Sequence, residues 1–291
     1  MAEVKNNLLK NYEILGVTKE GYHLLLFHPG QASDLLLYSL QKLSDEAFKH
    51  DGHQLKEQSE IDHFNRIYSH LILWNISENV LIGWQRFTKT EPIIKQHGIS
   101  GLYSSTLFNF TENIQEKLRF GFEMGRNFIH PAYRRTLALA YLWSGILKYI
   151  FNEGDIKYIY GLMSIGGHYP SIVKAYIVYL YTLYFGQLIN LHVVPNNHYT
   201  IPNRELSEIK TYIKGLEYKN DLSQLIEKLK NYQCELPVFV KHCMNFCERD
   251  GTQLLAVGVD HDFGSCIDLF SIAEVEKIKP ININGYRKLI A

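Results

Sequence analysis

One segment carries residue types that an apolar run seldom tolerates: Phe122-Glu123-Met124-Gly125-Arg126-Asn127-Phe128-Ile129-His130-Pro131-Ala132-Tyr133-Arg134-Arg135. A carboxylate and a guanidinium stand inside a stretch whose neighbours predict a strand over 118–129. Burying either charge is expensive unless it has a partner or a task. Alternation sets Glu123 and Gly125 on one face and Met124 and Arg126 on the other, so the two charges are not expected to pair. An arginine such as Arg86 or Arg119 would then be the structural partner of Glu123. Arg134 and Arg135 open a helix expected over 133–151, where free N–H groups and the helix dipole favour an anion. The chemistry available is proton transfer by a strand acid beside an anion site. A buried polar network that only fixes sheet packing explains the same residues, and both readings stay open at this level.

The elements that must position these groups follow from pattern. His23–Phe27 is a short apolar run closed by His28-Pro29-Gly30, which predicts a strand. Leu36, Leu37, Leu40, Leu43 and Phe48 give helical spacing over 33–50. The polar stretch 51–60 reads as a loop. Runs over 68–75 and 80–88, split by Ile76-Ser77-Glu78-Asn79, predict a hairpin. Gly83 inside the second run suggests a bulge or close packing. A strand over 157–163 and a helix over 170–184 follow. Charged amphipathic helices are expected over 205–214 and 222–232, a more apolar one over 236–246, and strands over 252–259 and 265–270. The mixed order predicts an α/β fold with a partly antiparallel sheet. No Pro/Gly/Ser-rich linker separates the last third, so residues 191–291 are expected to pack as an elaboration on a core spanning 20–190.

Composition sets outer bounds. The 291-residue chain has 30 Lys+Arg against 30 Asp+Glu, which gives no long-range field for nucleic acid. With 46% apolar and 21% charged residues it reads as globular. Its 20 Tyr and 15 Phe suit broad apolar grooves with polar rims. Cys234, Cys243, Cys247 and Cys266 form no CxxC pair. His242, Cys243 and Cys247 lack the spacing of a zinc site, so neither disulfides nor a metal is expected. The first twelve residues carry two lysines and no apolar core, which argues against a signal peptide. The apolar stretches 136–151 and 172–189 are each broken by a lysine and read as buried helices. Trp74, Trp84 and Trp143 are expected in the core.

Strand, His-Pro-x-Tyr-Arg and long helix resemble the acyl-donor motif of the GNAT acyltransferase superfamily. Glu-x-Gly-Arg before it resembles, more narrowly, the acyl-ACP-dependent N-acyltransferases. These include the ornithine-lipid and glycine-lipid synthases (often labelled hemolysin-like) and, more distantly, the acyl-homoserine-lactone synthases. Asp62-His63-Phe64-Asn65 with His70-Leu71-Ile72 is similar to the family's Asp-x-Phe-Asp … His-Leu-x-Val block. Leu142-Trp143 with Gly145-Ile146, Tyr158–Ser164, Leu236–Lys241, and Asp260-His261-Asp262-Phe263 … Asp268 resemble later blocks. The likeness runs over roughly 20–270. Two positions depart. Asn65 stands where a second acid is usual. Arg135-Thr136-Leu137-Ala138-Leu139-Ala140 keeps the donor-loop frame with alanines at positions usually held by small residues such as glycine.

The resemblance implies a mixed, mostly antiparallel sheet flanked by helices, with a C-terminal α/β elaboration. It implies transfer of a long-chain acyl group from a carrier thioester to the amine of an amino acid or other small amine, giving an N-acyl amino acid or aminolipid precursor. Glu123 is then the expected base, or the group that holds the acceptor's ammonium, and Tyr169 the acid for the leaving thiolate, with Tyr176 and Tyr179 as competitors. Asp62, Arg126 and Ser164 would face the acceptor, with Arg126 holding a carboxylate. Asn127, Phe128 and Ile129 would meet the donor through backbone N–H groups, and Arg134 and Arg135 its phosphate and acidic carrier. No tightly bound cofactor is expected; the co-substrate is acyl carrier protein bearing a 4'-phosphopantetheine thioester, or acyl-CoA. The alanines favour the carrier, which presents one phosphodiester rather than a diphosphate. The expected location is cytoplasmic, with room for transient contact at the inner membrane face. Two rivals remain: a non-catalytic acyl-binding or carrier-docking protein, and a signal synthase of the acyl-homoserine-lactone type.

Overall fold

A computed structural model describes residues 9–50, 60–189 and 191–291. Residues 51–59 of the expected loop and most of the N-terminal twelve residues lie outside the described residues. The chain runs β1 (Glu13–Val17), β2 (His23–Phe27), α1 (Asp34–His50), α2 (His63–Ile67), β3 (Ser69–Asn75), β4 (Val80–Lys89), α3 (Thr90–His97), β5 (Phe108–Phe110), α4 (Glu112–Arg119), β6 (Gly121–Ile129) and α5 (Ala138–Glu153). It continues with β7 (Tyr158–Ile165), α6 (Ser171–Phe185), β8 (Val193–Pro195), α7 (Asn203–Tyr212), α8 (Tyr218–Asn231), α9 (Val238–Phe246), β9 (Thr252–Asp260), β10 (Cys266–Glu274) and α10 (Pro280–Arg287).

Eight strands form one sheet in the order β1-β2-β3-β4-β6-β7-β10-β9, and β5 pairs with β8 apart from it. Every neighbour in the large sheet is antiparallel except β6 and β7. The fold is therefore α/β with a mostly antiparallel central sheet, as the pattern and the resemblance imply. The C-terminal hairpin β9–β10 joins this sheet through an eight-residue ladder from β10 to β7.

Helices cover both faces because the strands are apolar on both. On one face α1 sends Leu36, Leu40 and Leu43 against Leu25, Ile72 and Trp84. On the other, α5 packs Leu142, Ile146 and Ile150 against Leu71, Phe87 and Phe122, and α6 covers Met163, Ile267 and Leu269. Gly154 stops α5 in the left-handed conformation, φ 74°, its N–H reaching the Ile150 carbonyl.

The structure departs from the sequence reading between β4 and β6. Two eight-residue helices, α3 and α4, and the short strand β5 occupy a stretch without clear periodicity, and β6 begins at Gly121 because α4 runs to Arg119. The helix expected from Tyr133 begins instead at Ala138. Pro131–Tyr133 forms a 3-10 turn, and the Thr136 N–H closes a further tight turn on the Tyr133 carbonyl. Arg134 and Arg135 thus sit on an exposed turn ahead of α5.

Two irregularities create the site. β6 and β7 pair only from Gly121–Tyr158 to Met124–Gly161, and past that point they diverge. At the same level the β4–β6 ladder slips: Arg86 faces Gly125, Trp84 faces Phe128, and Gln85 alone opposes Arg126 and Asn127. This is a β-bulge, and Arg126 takes φ 51° in it.

Candidate active site

The divergence of β6 and β7 opens a cavity of about 260 Å³. Gly125, Arg126 and Asn127 line it from β6, Gly161, Met163 and Ser164 from β7, and Asp268 and Asp260 from β10 and β9. Trp143 of α5 with Phe239 and Phe246 of α9 closes one end with aromatic surface. Phe48 of α1 meets Phe263 of the β9–β10 turn at 5.2 Å over the other side. Trp143, expected as core, is buried and is also a wall of the cavity. The space is apolar at one end, with the Arg126 guanidinium and two carboxylates at the other, as suits a long apolar group carrying a polar head.

Gln85 holds the bulge. Its amide nitrogen donates to the carbonyls of Gly125 at 2.7 Å and Arg86 at 2.9 Å, and its oxygen accepts from the Asn127 amide at 2.6 Å. The Asn127 side chain is therefore spent on the fold. Phe128 is buried in the core beneath α1 with Trp84, so its side chain does not face the donor side. Only the backbone of these residues is left for a substrate.

The bulge also changes where Arg126 points. Alternation placed it on the face opposite Glu123, but the left-handed residue swings the guanidinium back toward α1. There Nη1 meets Asp45 at 2.6 Å, and Nη2 lies 3.8 Å from Asp62. Arg126 lines the cavity, yet its charge is already answered.

Asp62 does not line the cavity. It caps α2, accepting from the Phe64 N–H at 2.9 Å, and pairs with Arg86 at 2.7 Å. Burial works against its charge, but Arg86 and Arg126 outweigh it and hold the carboxyl below its ordinary range. Asn65 accepts from Arg86 at 2.7 Å and donates to Gln41 at 3.0 Å. A second acid at 65 could accept from Arg86 but not donate to Gln41. His70 is buried with Nδ1 accepting from the Trp84 indole at 3.1 Å. Burial lowers it to about 4 and so keeps it neutral.

Glu123 differs most from its expected part as a base. It pairs with neither Arg86 nor Arg119 and is absent from the cavity wall. Its Oε1 accepts from the Ser104 N–H at 2.9 Å, and its Oε2 from the Tyr103 N–H at 3.0 Å and from the Tyr68 hydroxyl. It anchors the 3-10 turn Tyr103–Thr106 against the sheet. A carboxylate enclosed by three donors is poorly placed to take a proton from a molecule in the cavity. Tyr169, the expected acid, donates to the Glu235 carbonyl at 3.1 Å and is likewise not part of the wall. Tyr103 does line it, on the polar side.

The titratable pair that does face the space is Asp260 and Asp268. Ser164 on β7 lies directly opposite Asp268 on β10 and donates to it at 2.5 Å. Burial drives the Asp268 carboxyl up to about 7; the Ser164 bond opposes the rise and Asp260 adds to it. Asp260 is itself raised, chiefly by burial, while it accepts from the Asp262 and Phe263 N–H groups at 2.9 and 3.1 Å. Both acids stood in the C-terminal block of the resemblance without an assigned role. The signal that singles out Asp268 is an acid alternating inward in Cys266-Ile267-Asp268-Leu269-Phe270, an otherwise apolar run.

Arg134 is exposed, its Nε reaching the Ile129 carbonyl at 3.4 Å, and Arg135 is exposed beside it. Both stand between the end of β6 and the start of α5. Among the described residues no helix is long and apolar enough to cross a membrane.

The chain is similar to several known proteins. Residues 43–144, from within α1 to within α5, match the acetyltransferase (GNAT) domain family. The chain is 24% identical over 267 residues to a glycine N(alpha)-acyltransferase of Phocaeicola vulgatus, covering 85% of this chain and 78% of that protein. Two solved structures are similar at lower levels. One is the CoA-dependent acyl-homoserine lactone synthase BjaI with SAM and isopentyl-CoA, at TM-score 0.45, 9% identity, and 92% and 89% coverage of this chain and that one. The other is the CoA-dependent synthase MesI, at TM-score 0.37, 12% identity, and 87% and 86% coverage.

Proposed function

We propose that this chain, an acyltransferase of the GNAT type, moves a long-chain acyl group from a carrier thioester to the amine of an amino acid. The observation that carries the reading is the cavity between β6 and β7, aromatic at one end, with the buried Asp268 carboxyl at the other. The glycine N-acyltransferase relative supports an amino acid as acceptor.

The thioester arm lies in the gap between β6 and β7, with the acyl chain toward Trp143, Phe239 and Phe246. Asp268 receives a proton from the acceptor's ammonium, because only the free amine has a lone pair to attack with. A carboxyl near 7 suits that task better than an ordinary one near 4. The amine nitrogen then bonds to the thioester carbon. The backbone N–H of Asn127, in the bulge, donates to the developing oxyanion. When the intermediate collapses the C–S bond breaks. Of the two protons the ammonium gives up, one ends on the departing sulfur and one in solvent.

The donor is an acyl carrier protein. The exposed Arg134–Arg135 pair offers a local basic patch on a chain of zero net charge, as a small acidic partner requires. The expected location is the cytoplasm, where such a carrier is available.

The test is thiol release from long-chain acyl carrier protein and from acyl-CoA, with and without a panel of amines. Release that rises on adding an amino acid supports the reading. Background release with every amine on both donors overturns it.

A further inference from the structure

Arg86 is the largest buried charge near the cavity, and it is only half satisfied. It is fully buried, with its guanidinium among the rings of Tyr103, Tyr68 and Phe64 at 5.1, 5.5 and 5.8 Å. Its Nη1 is taken by Asp62 and Asn65, both at 2.7 Å. Nε and Nη2 are buried with no hydrogen-bond partner among the described residues. That pair of nitrogens forms one straight edge of the guanidinium, the edge that matches the two oxygens of a carboxylate. Leaving it bare in the interior is costly, and buried polar groups in folded proteins are nearly always answered.

Among the described residues no acid supplies the answer. Asp62 uses one oxygen on Nη1 and the other on the Phe64 N–H. Both oxygens of Glu123 are held by the Tyr103–Ser104 turn and Tyr68. What stands against the bare edge is Gly125, paired directly opposite Arg86 and itself part of the cavity wall. A β-carbon there would lie 3.6 Å from Nη2 and 3.7 Å from Nε. Glycine therefore keeps side-chain atoms out of the space between the cavity and the fork.

We infer that the Nε–Nη2 edge of Arg86, reached past Gly125, binds the carboxylate of the acceptor, so that the acceptor class is an α-amino acid and not a simple amine. The inference deepens the acyl-transfer reading and rests on it. An α-amino acid carries its two charges one carbon apart. The polar end of the cavity suits such a pair, because Gly125, which stands against the fork, lines the same space as Asp260 and Asp268. With its carboxylate on Arg86, the acceptor turns its ammonium toward the acids of β9 and β10. The Glu-x-Gly-Arg sequence then has a physical sense: the acid anchors the turn that carries Tyr103, and the glycine leaves the fork accessible.

Gly125→Ala is the direct test. The added methyl meets the fork at ordinary contact distance, and Gly125 is not in the left-handed region, so the fold is retained. Thiol release is measured with glycine and with glycinamide, which keeps the amine and lacks the charge. The wild type should favour glycine by about 10- to 100-fold in kcat/KM, the scale of a charge-assisted hydrogen bond. Gly125→Ala should raise the KM for glycine by a similar factor and leave glycinamide and the donor KM nearly unchanged. Arg86→Lys, which keeps charge and loses the fork, should do the same. Turnover without preference for glycine, or equal loss with both acceptors in Gly125→Ala, overturns this inference alone. Background release with every amine removes the acyl-transfer reading and this inference with it.

Discussion

Replacing Asp268 by asparagine should stop turnover and stabilise the protein in the same stroke. The carboxyl is buried opposite Ser164, with Asp260 nearby on the neighbouring strand, and stands at about 7 where an ordinary aspartate would be near 3.8. Between those two values the folded protein holds a proton that the unfolded chain has released. Stability therefore falls as pH rises through the window from about 4 to about 7. The slope approaches 1.4 kcal/mol per pH unit, so over about 3 pH units the burial of this charge costs on the order of 4 kcal/mol at pH 8. Asparagine keeps the shape and still accepts from Ser164 but never ionises. Asp268→Asn should match the wild type in urea midpoint near pH 4 and exceed it increasingly toward pH 8. In amine-dependent thiol release the wild-type kcat/KM should climb with an apparent pKa near 7. The variant should lose that limb and about 10²- to 10⁴-fold in rate. A variant that folds and turns over normally, or one whose stability tracks the wild type at every pH, would refute the assignment of the base and of its cost.

Glu123→Gln should behave in the opposite way: a loss of about 1–3 kcal/mol in urea unfolding, since a charged acceptor for three donors is weakened, with kcat close to wild type. A hundredfold fall in kcat in a well-folded Glu123→Gln would instead return the base to Glu123. The Arg134→Ala/Arg135→Ala variant should raise the KM for acyl carrier protein while leaving that of the amine unchanged. The wild-type donor KM should rise with salt and the variant's less, because exposed charges are screened over about 8–10 Å. Equal salt responses would move the carrier elsewhere.

Much of the frame was legible because it depends on local pattern. The turn residues after Phe27 fix the end of β2, and the Ile76–Asn79 break fixes the hairpin of β3 and β4. The stretch after β4 was not legible: α3 and α4 are eight residues each, too short for a helical period to stand out. β6 starts late because α4 runs to Arg119, and the late start of α5 depends on backbone turns at Tyr133–Thr136, which no apolar spacing marks. At the site, Glu123 and Arg126 do not pair, but not for the reason that alternation gives: a bulge shifts the register, Arg126 adopts φ 51°, and its guanidinium turns to the face of α1, where Asp45 holds it. Asp268 as a candidate base became visible only with the sheet order. Its burial against Ser164 needs β10 to insert between β7 and β9, a contact across 104 positions of sequence.

The central claim is transfer of an acyl group from a thioester to an amino acid, and product mass tests it most directly. Purified protein is incubated with a long-chain acyl carrier protein and nitrogen-15 glycine. The account predicts an N-acylglycine carrying the label and an equal amount of free carrier thiol, both lost in Asp268→Asn. Labelled product absent with glycine and with every other amino acid on both carrier and CoA thioesters, from protein that is folded, would contradict it.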